Sequence, residues 1–334
     1  MRTPADASRV DAHGRARVRD RGSGFVGGAL IRRLLADGFE VRALARSDRS
    51  AQAVRELGAE PVRGNLDERP SLAEGAAGCE LAFHAAAEVE EWGSWDSFAR
   101  GNVVGTLNVL EGCRRAGVRR LVHVGTEAAL LAGQPLVNAD ERMELRPDSP
   151  AYYPATKAMA ERLVRRFDGM ETVVIRPRLV WGPGDSTVLP GLLQAVRSGH
   201  FAWIGGGGHK TSTTHVDNVI EGLVLGAREG RDGEAYFVTD GEPLVFRDFV
   251  TRLLATQGED PGERNLPKPV AAAIARGGEA LWRGLPLDRA PPLTRLALWL
   301  TSLECTIDTT KARSELGYRP VISVDHGLAS LPRA

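Results

Sequence analysis

The chain has 334 residues, of which 43% are hydrophobic and 26% charged, proportions typical of a soluble globular protein with one large or two modest domains. Lys+Arg and Asp+Glu both number 43, so the zero formal charge gives no electrostatic reason to expect a nucleic-acid partner. Three separated cysteines without a C-x-x-C pair predict neither a disulfide framework nor a metal site, and the absence of a long apolar run predicts a cytoplasmic protein with no membrane span.

Residues 1–21 form an atypical N-terminal segment. Arg15, Arg17 and Arg19 recur where the following segment requires a buried parallel strand, and such strands are normally rich in Val, Ile and Leu. We therefore expect a poor or absent strand there.

A glycine-rich stretch follows and opens a helix that the apolar spacing predicts. Glycines at a helix start let backbone N–H groups approach a pyrophosphate at the positive end of the helix dipole. The candidate cofactor contacts in this stretch are Gly22, Gly24, Phe25, Val26 and Gly27.

Arg46 ends the second predicted strand, at residues 41–46. A carboxylate near this point suits the ribose 2′-hydroxyl of NAD, whereas an arginine suits the 2′-phosphate of NADP. Arg46 therefore favours NADP, and a solvated strand end is the alternative interpretation.

Strands and helices go on alternating, which predicts an α/β fold: a Rossmann-like, doubly wound parallel sheet with a smaller, mixed C-terminal substrate lobe. The small residues after His84 leave room for a cofactor at the carboxyl end of a strand. Further candidate cofactor contacts near strand ends are Asn65, Leu66, Ala85, Ala86 and Ala87.

Tyr153 and Lys157 lie four residues apart at the start of a predicted helix, so both side chains project from one face. A phenol is a poor acid at neutral pH, but a neighbouring ammonium group favours the phenolate and lowers the pKa of the phenol. Such a pair can exchange a proton with an alcohol or ketone. The same spacing also occurs in ordinary surface pairs, so the spacing alone does not identify a catalytic pair, and other motifs of the chain are needed.

The periodicity weakens after about residue 185. We predict a dinucleotide-binding domain at residues 22–185 and a mostly substrate-binding lobe at residues 186–334, from which residues of about 209–227 return to the first domain. Residues 266–306 are interpreted as helices that pack on this lobe, with an apolar substrate lid or a membrane-surface contact as the alternative.

A series of short motifs follows in order: Gly24-Phe25-Val26-Gly27, Phe83-His84-Ala85-Ala86-Ala87, the segment 102–109, Thr126, Tyr153-x-x-x-Lys157, Arg176-Pro177-x-x-x-Trp181-Gly182-Pro183-Gly184, His215-Val216-Asp217-Asn218-Val219 and the segment 308–320. Together they resemble the extended short-chain dehydrogenase/reductase family, the NAD-dependent epimerase/dehydratase group. The chain looks most like the 3β-hydroxysteroid dehydrogenase/dihydroflavonol reductase branch. Each motif is weak alone, but the ordered set, over about residues 22–332, is specific.

The resemblance implies a role for each matching residue. Tyr153 is the general acid/base, Lys157 holds the nicotinamide ribose and lowers the pKa of Tyr153, and Thr126 hydrogen-bonds the substrate oxygen. Asn102 supports the site, and Pro177 lies beside the nicotinamide. The implied reaction interconverts a secondary alcohol and a ketone with NADP or NAD. Apolar residues after Tyr153 and in residues 266–303 favour an apolar, steroid-like or long-chain substrate.

The chain departs from the family pattern at its first glycine-rich turn. Asp20 and Arg21 stand where the family has Thr and the first Gly. Arg21 cannot easily adopt the positive φ that glycine supplies, and Asp20 would bring a negative charge towards the pyrophosphate. Both residues are expected to oppose cofactor binding.

Two other functions remain open at this stage. A nucleotide-sugar epimerase or dehydratase would retain its NAD, but a dehydratase normally has an Asp-Glu pair beside the Thr126 position, and here Glu127 follows alone. A non-catalytic, cofactor-sensing protein would fit Arg21, but it would not need the proton relay. The family also implies a possible homodimer through helices at about residues 102–116 and 155–168.

Overall fold

The N-terminal half of the fold alternates strands and helices. The structure is a computed structural model that describes the backbone of residues 15–19 and, in full, residues 24–89, 92–285 and 290–332. Its first elements are β1 (Arg15–Arg19), α1 (Phe25–Ala36), β2 (Glu40–Ala45), α2 (Asp48–Glu56), β3 (Glu60–Arg63), α3 (Arg69–Ala76), β4 (Leu81–His84), α4 (Trp95–Phe98), α5 (Gly105–Arg115) and β5 (Arg120–Val124). A π-helical segment, Ala99–Val104, joins α4 to α5, and a 3-10 turn, Glu127–Leu130, follows β5.

The second half has shorter strands. Its elements are β6 (Leu136–Ala139), α6 (Tyr152–Arg165), β7 (Glu171–Pro177), β8 (Val180–Trp181), α7 (Val188–Arg197), β9 (Trp203–Ile204), β10 (Lys210–Thr211), β11 (Thr214–His215), α8 (Val216–Glu229), β12 (Glu234–Val238), β13 (Leu244–Val245), α9 (Phe246–Ala255), β14 (Asn265–Leu266), α10 (Lys268–Gly284), α11 (Arg295–Ser302), β15 (Cys305–Ile307), α12 (Thr310–Glu315) and α13 (Val324–Ser330).

The main sheet is parallel throughout the described part of the chain. Its seven strands have the order β12-β7-β5-β4-β1-β2-β3. Every adjacent pair is parallel. The order reverses between β1 and β4, and ligands of open α/β sheets bind at such a switch point, beyond the carboxyl ends of the strands. The predicted Rossmann-like fold class is confirmed.

The expectation of a poor or absent strand within residues 1–21 is wrong. Arg15–Arg19 forms β1 at the centre of the sheet, where Val18 lies opposite Ala43 of β2 and Phe83 of β4. A central strand satisfies its backbone N–H and C=O groups on both sides whatever its side chains. Pairing with two neighbours therefore outweighs the weak strand preference of an arginine-rich run.

Helices cover both faces of this sheet. One face buries a cluster that includes Leu30 and Ile31 of α1 and Leu223 of α8. The other face buries a cluster that includes Leu110 of α5 and Val164 of α6. Burial of a parallel sheet on both faces explains why its strands, other than β1, are mostly apolar.

The smaller lobe is mixed and draws on both halves of the chain. Among the described residues, a second sheet has the order β13-β10-β15-β6, so β6 pairs with the lobe although it lies within residues 22–185. Conversely β12, which lies beyond the predicted returning segment, joins the main sheet. Residues 266–306 contain α10 and α11, which pack in one apolar cluster with Tyr153. No helix in the described ranges is long and apolar enough to cross a membrane.

Candidate active site

The predicted cofactor contacts that the structure describes lie at the carboxyl edge of the parallel sheet. Arg46 directly follows β2, and Asn65 and Leu66 follow β3. The three alanines Ala85, Ala86 and Ala87 follow β4, and Pro177 is the last residue of β7. Because these strands are parallel and adjacent, their ends surround the switch point between β1 and β4.

The start of α1 fits an anionic ligand. Gly24 is the N-cap and makes no side-chain capping bond, and the first turn, which begins with Phe25 and Val26, contains no acidic residue. Gly27 is buried within this helix. The free N–H groups at the positive end of the helix are therefore available to a phosphate. Asp20, Arg21 and Gly22 lie outside the described residues. The predicted cofactor contact at Gly22 and the predicted opposition to cofactor binding by Asp20 and Arg21 therefore stay predictions.

Two of the loop residues have local partners that fix their backbone. The Asn65 side chain accepts a hydrogen bond from Asp67 N at 2.8 Å and donates one to Glu68 at 2.6 Å. The Leu66 carbonyl accepts a hydrogen bond from Asn108 at 2.8 Å. The loop after β3 is thus held in one conformation at the edge of the site.

The helix α6 carries Tyr153 and Lys157, and an ion pair joins it to β7 of the main sheet. Glu161, one further turn along the same face, forms a buried ion pair with Arg176 of β7, whose Nε lies 3.0 Å from Oε2. Arg176 also lies over the Phe237 ring of β12, 5.0 Å from its centroid. These contacts fix the rotation of α6 relative to the sheet.

Thr126 lies just beyond β5, and its side chain makes two hydrogen bonds. Its hydroxyl donates to Oε2 of Glu127 at 2.9 Å and accepts from Ala128 N at 3.2 Å. The hydroxyl is also near enough to Tyr153 to affect the pKa of the phenol. The structure therefore brings together two of the three predicted catalytic side chains.

The pKa of the Tyr153 phenol is raised, not lowered as the sequence predicted. Burial is the main cause, the charge of Glu127 adds to it, and the nearby Thr126 hydroxyl opposes it. The Lys157 ammonium donates instead to the Val124 carbonyl at 2.9 Å and lies 3.4 Å from Nε2 of His123. The predicted effect of Lys157 is therefore absent: Lys157 is not among the groups that shift the pKa of Tyr153.

Lys157 is itself perturbed. Burial lowers the pKa of Lys157 to about 8, while the charge of Glu161 acts in the opposite direction. Burial, followed by the charge of Lys157, holds the pKa of His123 well below its ordinary value, so His123 is neutral. A neutral His123 can accept a hydrogen bond from the ammonium.

Asn102 lies in the π-helical segment and connects α6 to the loop after β4. Its side chain donates to Thr156 at 3.0 Å and to the Glu88 carbonyl at 3.2 Å, and it accepts from Glu88 N at 2.7 Å. Asn102 is 1% exposed. These buried contacts fix the loop that carries the three alanines against the helix that carries Tyr153.

Sequence reasoning missed a buried ion pair beside Thr126. Arg178, two residues after the predicted strand end at Pro177, donates to Oε1 of Glu127 at 2.8 Å. It also approaches Thr211 Oγ1 at 3.4 Å and the Leu300 carbonyl at 3.3 Å. The partners are 51 residues apart, and no sequence spacing could have paired them.

A narrow pocket adjoins Tyr153, and the sequence analysis did not predict it. Its wall is largely aromatic and apolar, but α10 adds one acid and one base. The lining includes Phe98, Tyr152, Tyr153, Leu296, Glu279 and Arg283. Arg283 lies 4.4 Å above the Tyr152 ring, so a cation–π contact joins α10 to the start of α6.

Comparison with known proteins agrees with this geometry. The model of the 3-beta hydroxysteroid dehydrogenase/isomerase family matches residues 21–268. A ketoreductase of Stigmatella aurantiaca, named for 4-hydroxy-2-methyl-3-oxo-4-farnesyl-3,4-dihydroquinoline-1-oxide, is 48% identical over 94% of this chain and 94% of its own. A 2-alkyl-3-oxoalkanoate reductase of Stenotrophomonas maltophilia is 37% identical over 93% of this chain and 96% of its own.

Solved structures share the fold over almost the full length. The crystal structure of gox2253 has a TM-score of 0.76 and 28% identity, and covers 94% of this chain and 96% of its own. A dTDP-glucose 4,6-dehydratase from Streptomyces venezuelae, solved with NAD and TYD, has a TM-score of 0.72 and 25% identity over 94% of each chain.

The sheet order and the Thr126, Tyr153 and Lys157 set define a short-chain dehydrogenase/reductase of the extended type, which is an NAD(P)-dependent oxidoreductase acting on CH–OH groups. Within this class the chain belongs to the 3-beta hydroxysteroid dehydrogenase/isomerase family. The resemblance identified from the sequence is therefore confirmed, and the non-catalytic alternative is set aside.

Proposed function

We propose that this protein is a ketoreductase that interconverts a ketone and a secondary alcohol on an apolar substrate, with NADP(H) as the preferred cofactor. The observation that carries this proposal is the position of Tyr153 in the wall of a pocket lined mainly by aromatic and apolar residues, with the Thr126 hydroxyl near its phenol. A hydroxyl pair of this kind can hold a carbonyl oxygen and exchange a proton with it.

Each predicted catalytic residue has a defined task in this proposal. The nicotinamide supplies or accepts a hydride at the substrate carbon. Tyr153 gives its hydroxyl proton to the substrate oxygen during reduction and takes it back during oxidation. Thr126 orients that oxygen, and the Lys157 ammonium, held by the Val124 carbonyl, has hydrogen-bonding capacity left for the cofactor ribose.

The proposed substrate is apolar, either steroid-like or long-chain. Phe98, Tyr152 and Leu296 present carbon-rich surfaces beside Tyr153. Two relatives are named for a farnesyl-bearing 3-oxo compound and for 2-alkyl-3-oxoalkanoates, which both combine a ketone with a hydrocarbon substituent. The pocket encloses only about 10 Å³, so a steroid-like or long-chain ketone can enter only if its walls move apart.

The cofactor is proposed to lie along the carboxyl edge of the sheet. Gly24, Phe25, Val26 and Gly27 would hold the pyrophosphate, and Asn65, Leu66, Ala85, Ala86, Ala87, Asn102, Lys157 and Pro177 would line the remainder. Exposed Arg46 makes no described ion pair with a carboxylate, so its guanidinium is free to bind a 2′-phosphate. This arrangement supports NADP(H) over NAD(H).

A nucleotide-sugar epimerase or dehydratase is the second candidate, because the fold is shared with such a dehydratase. A dehydratase needs a carboxyl group that can transfer protons. Both carboxylate oxygens of Glu127 are instead engaged, one by Arg178 and one by the Thr126 hydroxyl. The geometry therefore supports a reductase more strongly.

The experiment is a fluorescence titration with NADPH and NADH, followed by a panel of apolar ketones with the tighter cofactor. A reductase consumes one reduced cofactor for each ketone reduced. An epimerase turns over with no net change of cofactor, and that result would favour the second candidate.

A homodimer through α5 and α6 is also part of the proposal. Val104, the residue before α5, is 43% exposed and could form part of such an interface. Light scattering on the purified protein measures the mass in solution, and a monomer at high concentration would contradict the dimer.

A further inference from the structure

The helix α10 carries its large apolar side chains on the outside. Of the nine large apolar side chains that are exposed within the described ranges, four belong to α10 or to its C-cap: Val270, Ile274, Leu281 and Leu285. They follow one another at intervals of four, seven and four residues, so they lie on one face of the helix. We call this face the α10 stripe.

The buried face of α10 carries small side chains instead. Ala271 and Ala275 are both 0% exposed and belong to the apolar cluster that packs against Tyr153. A helix that only covers a core turns its large apolar residues inwards and its polar residues to water. Packing on the lobe therefore explains the buried alanines of α10 but not the α10 stripe.

The positions beside the α10 stripe widen it without adding a polar side chain. Ala273, Gly277, Ala280 and Gly284 are all exposed, and helical spacing places them next to the four large residues. Single exposed apolar residues are normal on a protein surface, but a continuous apolar surface marks a site of interaction. The α10 stripe is therefore a candidate interaction surface.

The exposed charges of α10 are all basic. Lys268, Arg276 and Arg283 are exposed, whereas the one acid of the helix, Glu279, is 3% exposed and accepts from Arg295 N at 2.6 Å. Arg276 and Arg283 are seven residues apart, so they lie on one line along an edge of the apolar surface. A partner that meets this helix must therefore accept both apolar side chains and positive charge.

A second copy of the chain matches this surface poorly. A two-fold contact brings the same surface of both copies together. The exposed surface of α10 offers no acid to the basic residues of the other copy, so such a contact would place like charges close together without a counter-charge. The proposed homodimer uses α5 and α6 and leaves α10 uncovered. Anionic lipids supply both the negative charge and the apolar phase.

We propose that α10 binds to the surface of a membrane that contains anionic lipids. The α10 stripe enters the boundary between head groups and acyl chains, Arg276 contacts lipid phosphates, and Arg283 adds positive charge at the same edge. The helix lies in the plane of the surface and does not cross it. Glu279 and Arg283 also line the pocket beside Tyr153, so the docked helix brings this pocket to the phase in which apolar compounds concentrate. Membrane binding goes beyond the proposed function and does not depend on it.

Co-sedimentation of the full chain with lipid vesicles tests the proposal. We expect the wild-type protein to bind vesicles of phosphatidylcholine mixed with phosphatidylglycerol and to bind pure phosphatidylcholine vesicles more weakly. Added salt should weaken binding to the mixed vesicles, because it screens the charges of the arginines and the lipids. Absence of binding to the mixed vesicles would overturn the proposal.

Leu281→Gln tests the apolar part of the interaction. Leu281 is 54% exposed, and glutamine is a good helix former, so the substitution should leave the fold intact. We expect binding to the mixed vesicles to weaken about tenfold, because less apolar surface is buried in the lipid. Val321→Gln is the matched control: Val321 is 56% exposed but lies beside α8, where its N–H group donates to Asn218. Equal losses in the two variants would show unspecific adhesion and contradict the proposal.

Arg276→Gln tests the electrostatic part. One basic residue near an anionic surface contributes enough that its loss should weaken binding to the mixed vesicles about fivefold and reduce the salt dependence. Arg49→Gln, at an exposed position of α2, is the control for the change of net charge and is expected to bind like the wild-type protein. Unchanged binding by Arg276→Gln would overturn the assignment of an anionic lipid surface.

Light scattering without vesicles separates the membrane from a second copy of the chain. If Leu281→Gln halves the mass of the wild-type protein in solution, the α10 stripe joins two copies and the proposal is wrong. Ketone reduction measured without vesicles should be the same in Leu281→Gln and in the wild-type protein, which shows that the variant is folded. If Leu281→Gln does not fold, Ile274→Gln tests the same surface. Absence of ketone reduction by the wild-type protein would contradict only the proposed function.

Discussion

Arg176 and Glu161 form an ion pair beneath the helix that carries Tyr153, and their side chains are 0% and 1% exposed. Replacing Glu161 with Gln leaves the guanidinium buried without its counter-charge, which costs roughly 3–5 kcal/mol in the free energy of unfolding. Denaturant unfolding measures this loss. Glu263→Gln is the control: its carboxylate, 87% exposed, pairs with Arg247 at the surface, and its loss should cost about 1 kcal/mol or less. Similar losses in the two variants would contradict a special role for the buried pair.

Tyr153→Phe removes the proposed proton donor and keeps the ring. We expect ketone reduction to fall by roughly 10²–10⁴-fold, the usual contribution of a positioned acid or base. Because the phenol is proposed to contact the substrate oxygen, the dissociation constant of NADPH should change little. Steady-state kinetics and a fluorescence titration measure the two quantities, and Tyr152→Phe, which retains the ring below Arg283, is the matched control. Full activity in Tyr153→Phe would remove Tyr153 from the mechanism.

Cofactor binding should depend on pH through Lys157. The pKa of Lys157 is lowered to about 8, so the ammonium is present below that pH and is lost above it. An anionic cofactor held by this charge should bind up to about tenfold more weakly for each further pH unit. Fluorescence titrations on both sides of the pKa measure the effect. Lys157→Met should bind weakly at every pH, and an unchanged pH dependence in that variant would assign the effect to another group.

Arg46 is predicted to set the preference between the two cofactors. Arg46→Asp replaces a partner of the 2′-phosphate with a carboxylate that suits the 2′-hydroxyl. We expect affinity for NADPH to fall at least about tenfold, while affinity for NADH is kept or improved, since one lost charge-assisted contact is worth about 1.5 kcal/mol or more. Arg49→Asp, at an exposed position of the neighbouring helix, controls for the change of charge. Equal effects of the two substitutions would mean that Arg46 affects cofactor affinity only through its charge and not through a direct contact with the 2′-phosphate.

The sequence predicted the architecture because alternating helical and strand periods define βαβ units, and such units close into a parallel sheet. It also placed Thr126, Tyr153 and Lys157 at strand and helix ends that the structure does contain. The wrong expectation of a poor or absent strand at β1 shows the limit of reasoning from sequence patterns. Side-chain preference is a local property, whereas the position of β1 depends on hydrogen bonds from β2 and β4.

The electrostatics of the site could not be predicted in the same way. The spacing of Tyr153 and Lys157 gave the expectation of a lowered phenol pKa, but the largest effect is burial, followed by the charge of Glu127. Glu127 was noted only as an incomplete dehydratase motif. Its partner Arg178 is distant in sequence, and one-dimensional patterns contain no information about such a contact.

Arg178 makes hydrogen bonds with residues that are far apart in the sequence and are therefore translated at different times. Its guanidinium contacts Glu127, the Thr211 hydroxyl and the Leu300 carbonyl, so the last of these partners lies near the C-terminus. A nascent chain that ends before α11 already contains Thr126, Tyr153 and Lys157 but lacks one partner of Arg178. Recovery of reductase activity during refolding should therefore lag behind formation of the sheet, and it should mark the docking of α11.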